Sequence, residues 1–112
     1  GGFRGTNILL DLPQPPTAIF ASNDVSAAGA MDAVRDRGLR VAIDISVIGF
    51  DDIPMATVIT PQLTTIRQPM YEMGLLATKM LVELIRNPEE PQCSVVLPTS
   101  LIVRESTAPP RF

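Results

Sequence analysis

Two pairs of polar side chains are the best candidates in this sequence for ligand recognition or chemistry. Asp51 and Asp52 directly follow the apolar run 43–50, and Asn23 and Asp24 follow a shorter apolar run. A carboxylate accepts several hydrogen bonds and an amide both donates and accepts, so the pairs suit a polyhydroxylated or heterocyclic small molecule. Two alternatives are solvated loop acids before Pro54, or an acidic pair that holds Mg²⁺ for phosphoryl transfer to an aspartate.

Strands are the elements that must position both pairs. The run 43–50 has too few polar residues to alternate, which predicts a strand covered on both faces, as in a parallel sheet. Residues 17–21 predict an earlier strand. In open α/β sheets, ligands bind outside the carboxyl ends of the strands. If the two strands are parallel neighbours, the two polar pairs lie at the same edge of the sheet.

The remaining pattern predicts an α/β fold with parallel pairing. Ser22, Asn23 and Asp24 favour a helix N-cap, and Gly38 suits the left-handed position that ends a helix. Apolar residues at helical spacing predict the longest helix. The full set of further expected elements is a helix-like start at 1–12, helices at 25–37 and 69–86, a short surface helix or loop at 53–61, strands at 63–67, 94–97 and 100–103, and a loose tail at 107–112.

The composition is that of one apolar-rich domain. The 112 residues are 46% hydrophobic, and the mean hydropathy is +0.24. Such an excess suggests apolar surface meant for a partner, another subunit or an absent part of the protein. The net charge of −3 argues against direct contact with a nucleic-acid backbone. No apolar run is long enough for a membrane span, and no signal peptide is recognisable.

Catalytic and metal sites find little support. Cys93 is the single cysteine and histidine is absent, which excludes an intrachain disulfide and a Ser-His-Asp or Cys-His site, and makes a zinc cluster implausible. Neither the P-loop nor the dinucleotide fingerprint occurs. A receiver-type phosphoacceptor would want a lysine after a later strand, whereas Lys79 falls in the middle of a predicted helix. We therefore expect no catalytic residue, no metal and no cofactor. The single cysteine is consistent with a reducing cytoplasm.

Five blocks of sequence, together with the spacing between them, carry a family resemblance. The blocks are 16–24 (PTAIFASND), 28–31 (AGAM), 38–41 (GLRV), 44–52 (DISVIGFDD) and 61–69 (PQLTTIRQP). Any one block is weak, but the linked set is specific. The chain resembles the lac repressor/gal repressor family of bacterial transcription regulators over nearly its whole length.

The resemblance implies a truncated periplasmic-binding-protein-like fold, in which two α/β lobes enclose a ligand cleft. Residues 1–66 would form part of the Rossmann-like C-terminal lobe with a parallel sheet, and 67–96 would complete the N-terminal lobe of the intact protein. Residues 97–106 would cross back, and 107–112 would form a tail. Operator DNA would be bound only through the missing N-terminal domain.

The implied function is effector sensing and dimerisation in a cytoplasmic repressor, without catalysis and without a membrane partner. The effector would be a sugar or sugar derivative, or a purine. By the resemblance, Asn23 and Asp51 hydrogen-bond the effector, whereas Asp24, Asp52 and Phe50 are capping or structural neighbours of the cleft. A solute-binding protein of a sugar transporter has the same fold and is the alternative, ahead of the receiver-type domain.

The resemblance also implies a homodimer or higher oligomer formed by residues 25–37 and 53–60. Small side chains in the first of these segments allow a close approach either to the sheet or to another subunit. The predicted interface residues are Val25, Ala28, Gly29, Asp32, Met55 and Ile59. The apolar side of helix 69–86 is expected to pair with a second chain or to fold back on the truncated sheet; its residues are Met73, Met80, Leu81 and Leu84.

Overall fold

The computed structural model describes residues 1–111, which fall into two compact units. One comprises residues 1–67 and the stretch from 100 onward, and the other comprises residues 68–99. The assignment of segments to two lobes stays a prediction. The first unit contains helices α1 (Gly2–Leu10) and α2 (Asp24–Asp36), a short 3₁₀ helix (Pro54–Thr57) and strands β1 (Ala18–Phe20), β2 (Ser46–Asp51), β3 (Thr64–Arg67) and β4 (Ser100–Ile102); the second contains helix α3 (Met70–Arg86).

The four strands form one sheet in the order β1-β2-β3-β4. The pairs β1-β2 and β2-β3 are parallel, whereas β4 runs antiparallel to β3. The α/β class with a mainly parallel sheet is confirmed. The strand predicted at 94–97 is wrong, because no described strand pairs with those residues and Val96 is 91% exposed. An apolar run becomes a strand only where a neighbour completes its backbone hydrogen bonds.

Helix α2 begins and ends as its sequence signals predict. The side-chain Oδ1 of Asn23 accepts a hydrogen bond from the Ser26 amide at 2.8 Å, which caps the first turn. Gly38 follows the last turn with φ +72°, a conformation that glycine adopts without steric cost. The helix starts at Asp24, one residue before the predicted start.

The core lies on one face of the sheet. Ala27, Met31 and Val34 of α2 pack with Val47 of β2 and with Leu63, and all five are at most 1% exposed. Along β2, buried and half-buried residues alternate. The expectation of a strand covered on both faces is therefore wrong for this chain, because apolar composition does not reveal whether both faces find a cover.

Glycines set the contact between α1 and α2. A Cβ on Gly29 would lie 2.9 Å from the backbone nitrogen of Phe3, and a Cβ on Gly2 would lie 1.8 Å from the carbonyl oxygen of Ser26. Ala27 and Ala30 face the core instead. The small residues of α2 thus serve close approach to the sheet on one side and to the backbone of α1 on another.

The segment after β4 connects β2 and β3 through hydrogen bonds. The Ser106 hydroxyl accepts from the Thr64 amide at 2.8 Å and donates to the Val47 carbonyl at 2.5 Å, and Ser106 is fully buried. The Arg111 guanidinium forms an ion pair with Asp44. The expectation of a loose tail is therefore wrong as far as Arg111, since side-chain partners rather than sequence position tie a terminus down. Phe112, the last residue of that predicted tail, lies outside the described residues.

Helix α3 confirms the predicted helix 69–86 and buries none of its residues. Met73 is 42%, Leu81 57% and Leu84 37% exposed. What covers this apolar side stays a prediction. Among residues 1–111, no helix combines the length and the apolarity that crossing a membrane requires.

Candidate functional site

The two polar pairs lie at one edge of the sheet, as predicted. Strands β1 and β2 are parallel neighbours, with Phe20 paired to Ile48, so their carboxyl ends meet. Oδ2 of Asp24 accepts a hydrogen bond from the amide of Ile53, the residue directly after Asp52, at 2.8 Å. The edge that the fold reserves for ligands in open α/β sheets therefore carries all four polar residues.

Asp24 is a fully buried carboxylate with partners inside the protein. Besides the Ile53 amide, the hydroxyl of Thr65 donates to its Oδ1 at 2.6 Å. Gly49 makes room for it, since a Cβ there would lie 2.4 Å from the same oxygen. The positive end of the α2 dipole favours a negative charge at this first helical residue. Asp24 thus joins the ends of β1 and β2 to β3 and is out of reach of a ligand.

Asp52 is nearly as enclosed and carries two ion pairs. Its side chain is 7% exposed, its Oδ2 lies 2.7 Å from Nε of Arg67, and its Oδ1 lies 2.8 Å from Nη1 of Arg104. Burial by itself raises the pKa of Asp52. Hydrogen bonds from Arg104 and Arg67, and then their charges, outweigh that effect and hold the pKa below its ordinary value. Asp52 is therefore a charged structural group.

Asp51 sits in a strained turn between these two fixed points. Its φ is +118° and that of Asp52 is +61°, a region that costs non-glycine residues about 1–3 kcal/mol each. Asp51 is half-buried and pairs with Arg67 across β2 and β3. The contacts of Asp52 and of the Ile53 amide hold the backbone on its carboxyl side. Strain of this kind persists only where the surroundings over-determine it, and such places are enriched at ligand sites.

Asn23 and Phe50 complete the edge. Asn23 is half-buried, and its cap uses the side-chain oxygen, so its amide nitrogen remains the group with which it could serve a ligand. The ring of Phe50 lies edge-on to that of Phe20, with centroids 6.5 Å apart and an interplanar angle of 71°. This cross-strand aromatic pair is a packing contact.

The predicted interface residues differ in their surroundings. Val25 is 64% exposed, whereas Ile59 packs against the core. Asp32 is exposed and forms an ion pair with Arg35 at 3.1 Å. Gly29 contacts α1 within the chain. Ala28 and Met55 are half-buried. In the described part of the chain, no three or more His, Cys, Asp or Glu side chains group as they would around a metal ion.

Sequence reasoning missed four residues that build this edge. Gly49, Thr65, Arg67 and Arg104 each touch one of the two buried acids or make space for it. Arg104 lies far along the chain from Asp52, and only the antiparallel pairing of β4 with β3 brings it near. The one signal within reach of the sequence was the glycine before Phe50, because a glycine inside a strand marks a close approach.

Comparison with known proteins identifies the family to which this chain belongs. Residues 4–107 match the family model described as the periplasmic binding protein-like domain. The chain belongs to that family. This periplasmic binding protein-like domain is 47% identical over 105 residues to a probable HTH-type transcriptional repressor, ExuR, of Bacillus subtilis, covering 94% of this chain and 32% of the relative.

Solved structures agree with the sequence comparison. A LacI family transcriptional regulator from Enterococcus faecium, with bound ribose, superposes with a TM-score of 0.84 at 39% identity, covering 97% of this chain and 40% of that one. A dimeric Lac repressor with an 11-residue C-terminal deletion gives 0.86 at 36% identity, covering 98% and 40%. The predicted resemblance and fold are confirmed. The domain spans about a third of the length of the curated relatives that it matches.

Proposed function

We propose that this domain supplies the effector-sensing and dimerisation part of a bacterial transcriptional repressor that acts in the cytoplasm and responds to a sugar-like molecule. No reaction is catalysed; the effector shifts the populations of conformations that differ in affinity for operator DNA. Operator contact belongs to a part of the regulator outside this domain. The repressor named among the relatives and the ribose in a similar structure support this proposal.

The observation that carries the proposal is that Asn23 and Asp51 lie at the carboxyl ends of two adjacent parallel strands. Asp24 is fully buried, and both oxygens of the Asp52 carboxylate form ion pairs with arginine side chains. Asn23 follows β1, Asp51 is the last residue of the adjacent parallel strand β2, and both residues are half-buried. A carboxylate has about four lone-pair sites, so Asp51 can accept from effector hydroxyls in addition to its contacts within the protein. The ligand role falls to Asn23 and Asp51.

Calorimetric titration of the full-length protein with ribose tests this assignment. Asp51→Asn removes the charge and keeps the shape, and a charged hydrogen bond contributes about 1.5–3 kcal/mol, so ribose affinity should fall roughly tenfold or more. Asp36→Asn, at an exposed position of α2, is the matched control and should bind like the wild type. Equal affinity in Asp51→Asn and the wild type would remove Asp51 from the site.

We propose in addition that α2 and the 3₁₀ segment form the subunit contact. Val25 is the sharpest probe, because it is 64% exposed and its replacement leaves the core intact. Val25→Lys should weaken dimerisation roughly tenfold by placing a charge in an apolar contact. Sedimentation equilibrium measures the dissociation constant, with Ile43→Lys, at a 52% exposed loop position, as control. Unchanged dimerisation in Val25→Lys would place the contact elsewhere.

A further inference from the structure

One carboxylate connects three separate stretches of the first unit. Asp52, directly after β2, binds Arg67 at the end of β3 through one oxygen and Arg104 beyond β4 through the other. Arg104 is anchored in turn, since its Nη1 donates to the Leu63 carbonyl at 2.9 Å and its backbone nitrogen donates to the Thr64 hydroxyl at 2.9 Å. The ion pairs thus connect two segments that are far apart in the sequence.

The chain leaves the first unit at one of these segments and returns to it at the other. Arg67 is the last residue before residues 68–99 separate as the second unit, and Arg104 follows shortly after the chain returns at Ser100. Asp52 is also the neighbour of Asp51, and both have positive φ. The same carboxylate therefore holds the outgoing segment, the returning segment and the strained turn of the proposed effector acceptor.

We propose that Asp52 is a positioning residue for effector binding, which ties Asp51 to both segments through its ion pairs with Arg67 and Arg104. The inference rests on the proposed function, because it assigns Asp51 to the effector. Asp52 does not touch the ligand. It holds the neighbouring backbone in a conformation that non-glycine residues rarely adopt, and it moves Asp51 whenever either segment moves.

The unequal exposure of the two arginines ranks their contributions. The side chain of Arg104 is 12% exposed and that of Arg67 is 55% exposed. A solvated ion pair is weakened by water and side-chain entropy, whereas an enclosed charged hydrogen bond is strong and leaves a costly unpaired charge when broken. Arg104 is accordingly the main anchor, and Arg67 adjusts the outgoing segment.

The test separates positioning from mere stability. Ribose is titrated into the full-length protein and its variants at a temperature well below every unfolding midpoint, where the dissociation constant reports the folded state. Asp52→Asn should weaken ribose binding roughly tenfold, within the range of couplings carried by residues that touch no ligand. Asp52→Glu, which restores the carboxylate, should recover most of that loss. Val34→Ala removes buried volume from the core and should lower the melting temperature while leaving ribose affinity within about twofold.

Arg67→Gln keeps the test decisive if Asp52→Asn does not fold. This exposed position tolerates substitution, and the variant should lose roughly threefold in ribose affinity relative to Arg4→Gln, an exposed control on α1. Ribose affinity within about twofold of the wild type in both Asp52→Asn and Arg67→Gln, or in Arg67→Gln alone if only it folds, would overturn the inference and leave the proposed function standing. Absence of ribose binding by the wild type would contradict ribose as the effector at this edge, and would overturn this inference with it.

Discussion

At the scale of single residues, the sheet edge assigns different roles to chemically identical groups. Asp24, Asp51 and Asp52 are all carboxylates near one another. Asp24 accepts two hydrogen bonds inside the protein, and Asp52 forms ion pairs with two arginines. Asp51 occupies the strained turn between them. Their neighbours, rather than their residue type, decide how each carboxylate is placed and what it contacts.

The lowered pKa of Asp52 predicts a pH-dependent stability. A carboxyl group whose pKa is depressed by folding contributes stability that is fully present above its unfolded pKa of about 3.9 and is lost as the pH falls through the folded pKa. Urea denaturation should therefore show Asp52→Asn less stable than the wild type by a constant amount above about pH 5. That difference should shrink below about pH 4.

Asp36→Asn provides the control for this measurement, because Asp36 is exposed on α2. Its stability difference from the wild type should be small at every pH. A difference between Asp52→Asn and the wild type that stays constant down to about pH 3 would show that the ion pairs of Asp52 do not act through its charge.

At the scale of elements, the sequence predicted each helix and each of the four strands found in residues 1–111, since capping residues, Gly38 and apolar periodicity act locally. Three expectations failed for non-local reasons, and one of them was the loose tail, which partners far along the chain hold in place. The strand at 94–97 needed a partner, and the second face of β2 needed a cover. The meeting of the carboxyl ends of β1 and β2 at one edge could be predicted from the sequence. Arg104 could not, because it reaches Asp52 only through the pairing of β4 with β3.

The contact between α1 and α2 can be tested with a matched pair of glycines. Gly29→Ala places a methyl group 2.9 Å from the backbone of Phe3, which must shift, so the free energy of unfolding should fall by about 1–3 kcal/mol. Gly5→Ala, also within a helix, meets nothing within 4 Å and should raise it by about 0.5–1 kcal/mol. Urea denaturation measures both. Two variants of equal stability would show that α1 does not pack on α2 through Gly29.

At the scale of the whole molecule, exposed apolar surface explains the high hydrophobic content. The chain is 46% hydrophobic, yet α3 buries no residue and β2 buries one face. Parallel sheets are ordinarily covered on both faces. The domain spans about a third of the length of its curated relatives. We interpret the exposed apolar surface as surface that meets other parts of a longer regulator or a second subunit.

We propose that the effector binds at the carboxyl edge of β1 and β2 through Asn23 and Asp51. A crystal structure of the full-length protein with ribose tests it most directly. We expect ribose hydroxyls within about 2.7–3.2 Å of the Asp51 carboxylate and of the Asn23 amide, with Asp24 and Asp52 keeping their protein partners. Ribose bound elsewhere, or bound at this edge through Asp24 or Asp52 without Asp51, would contradict it.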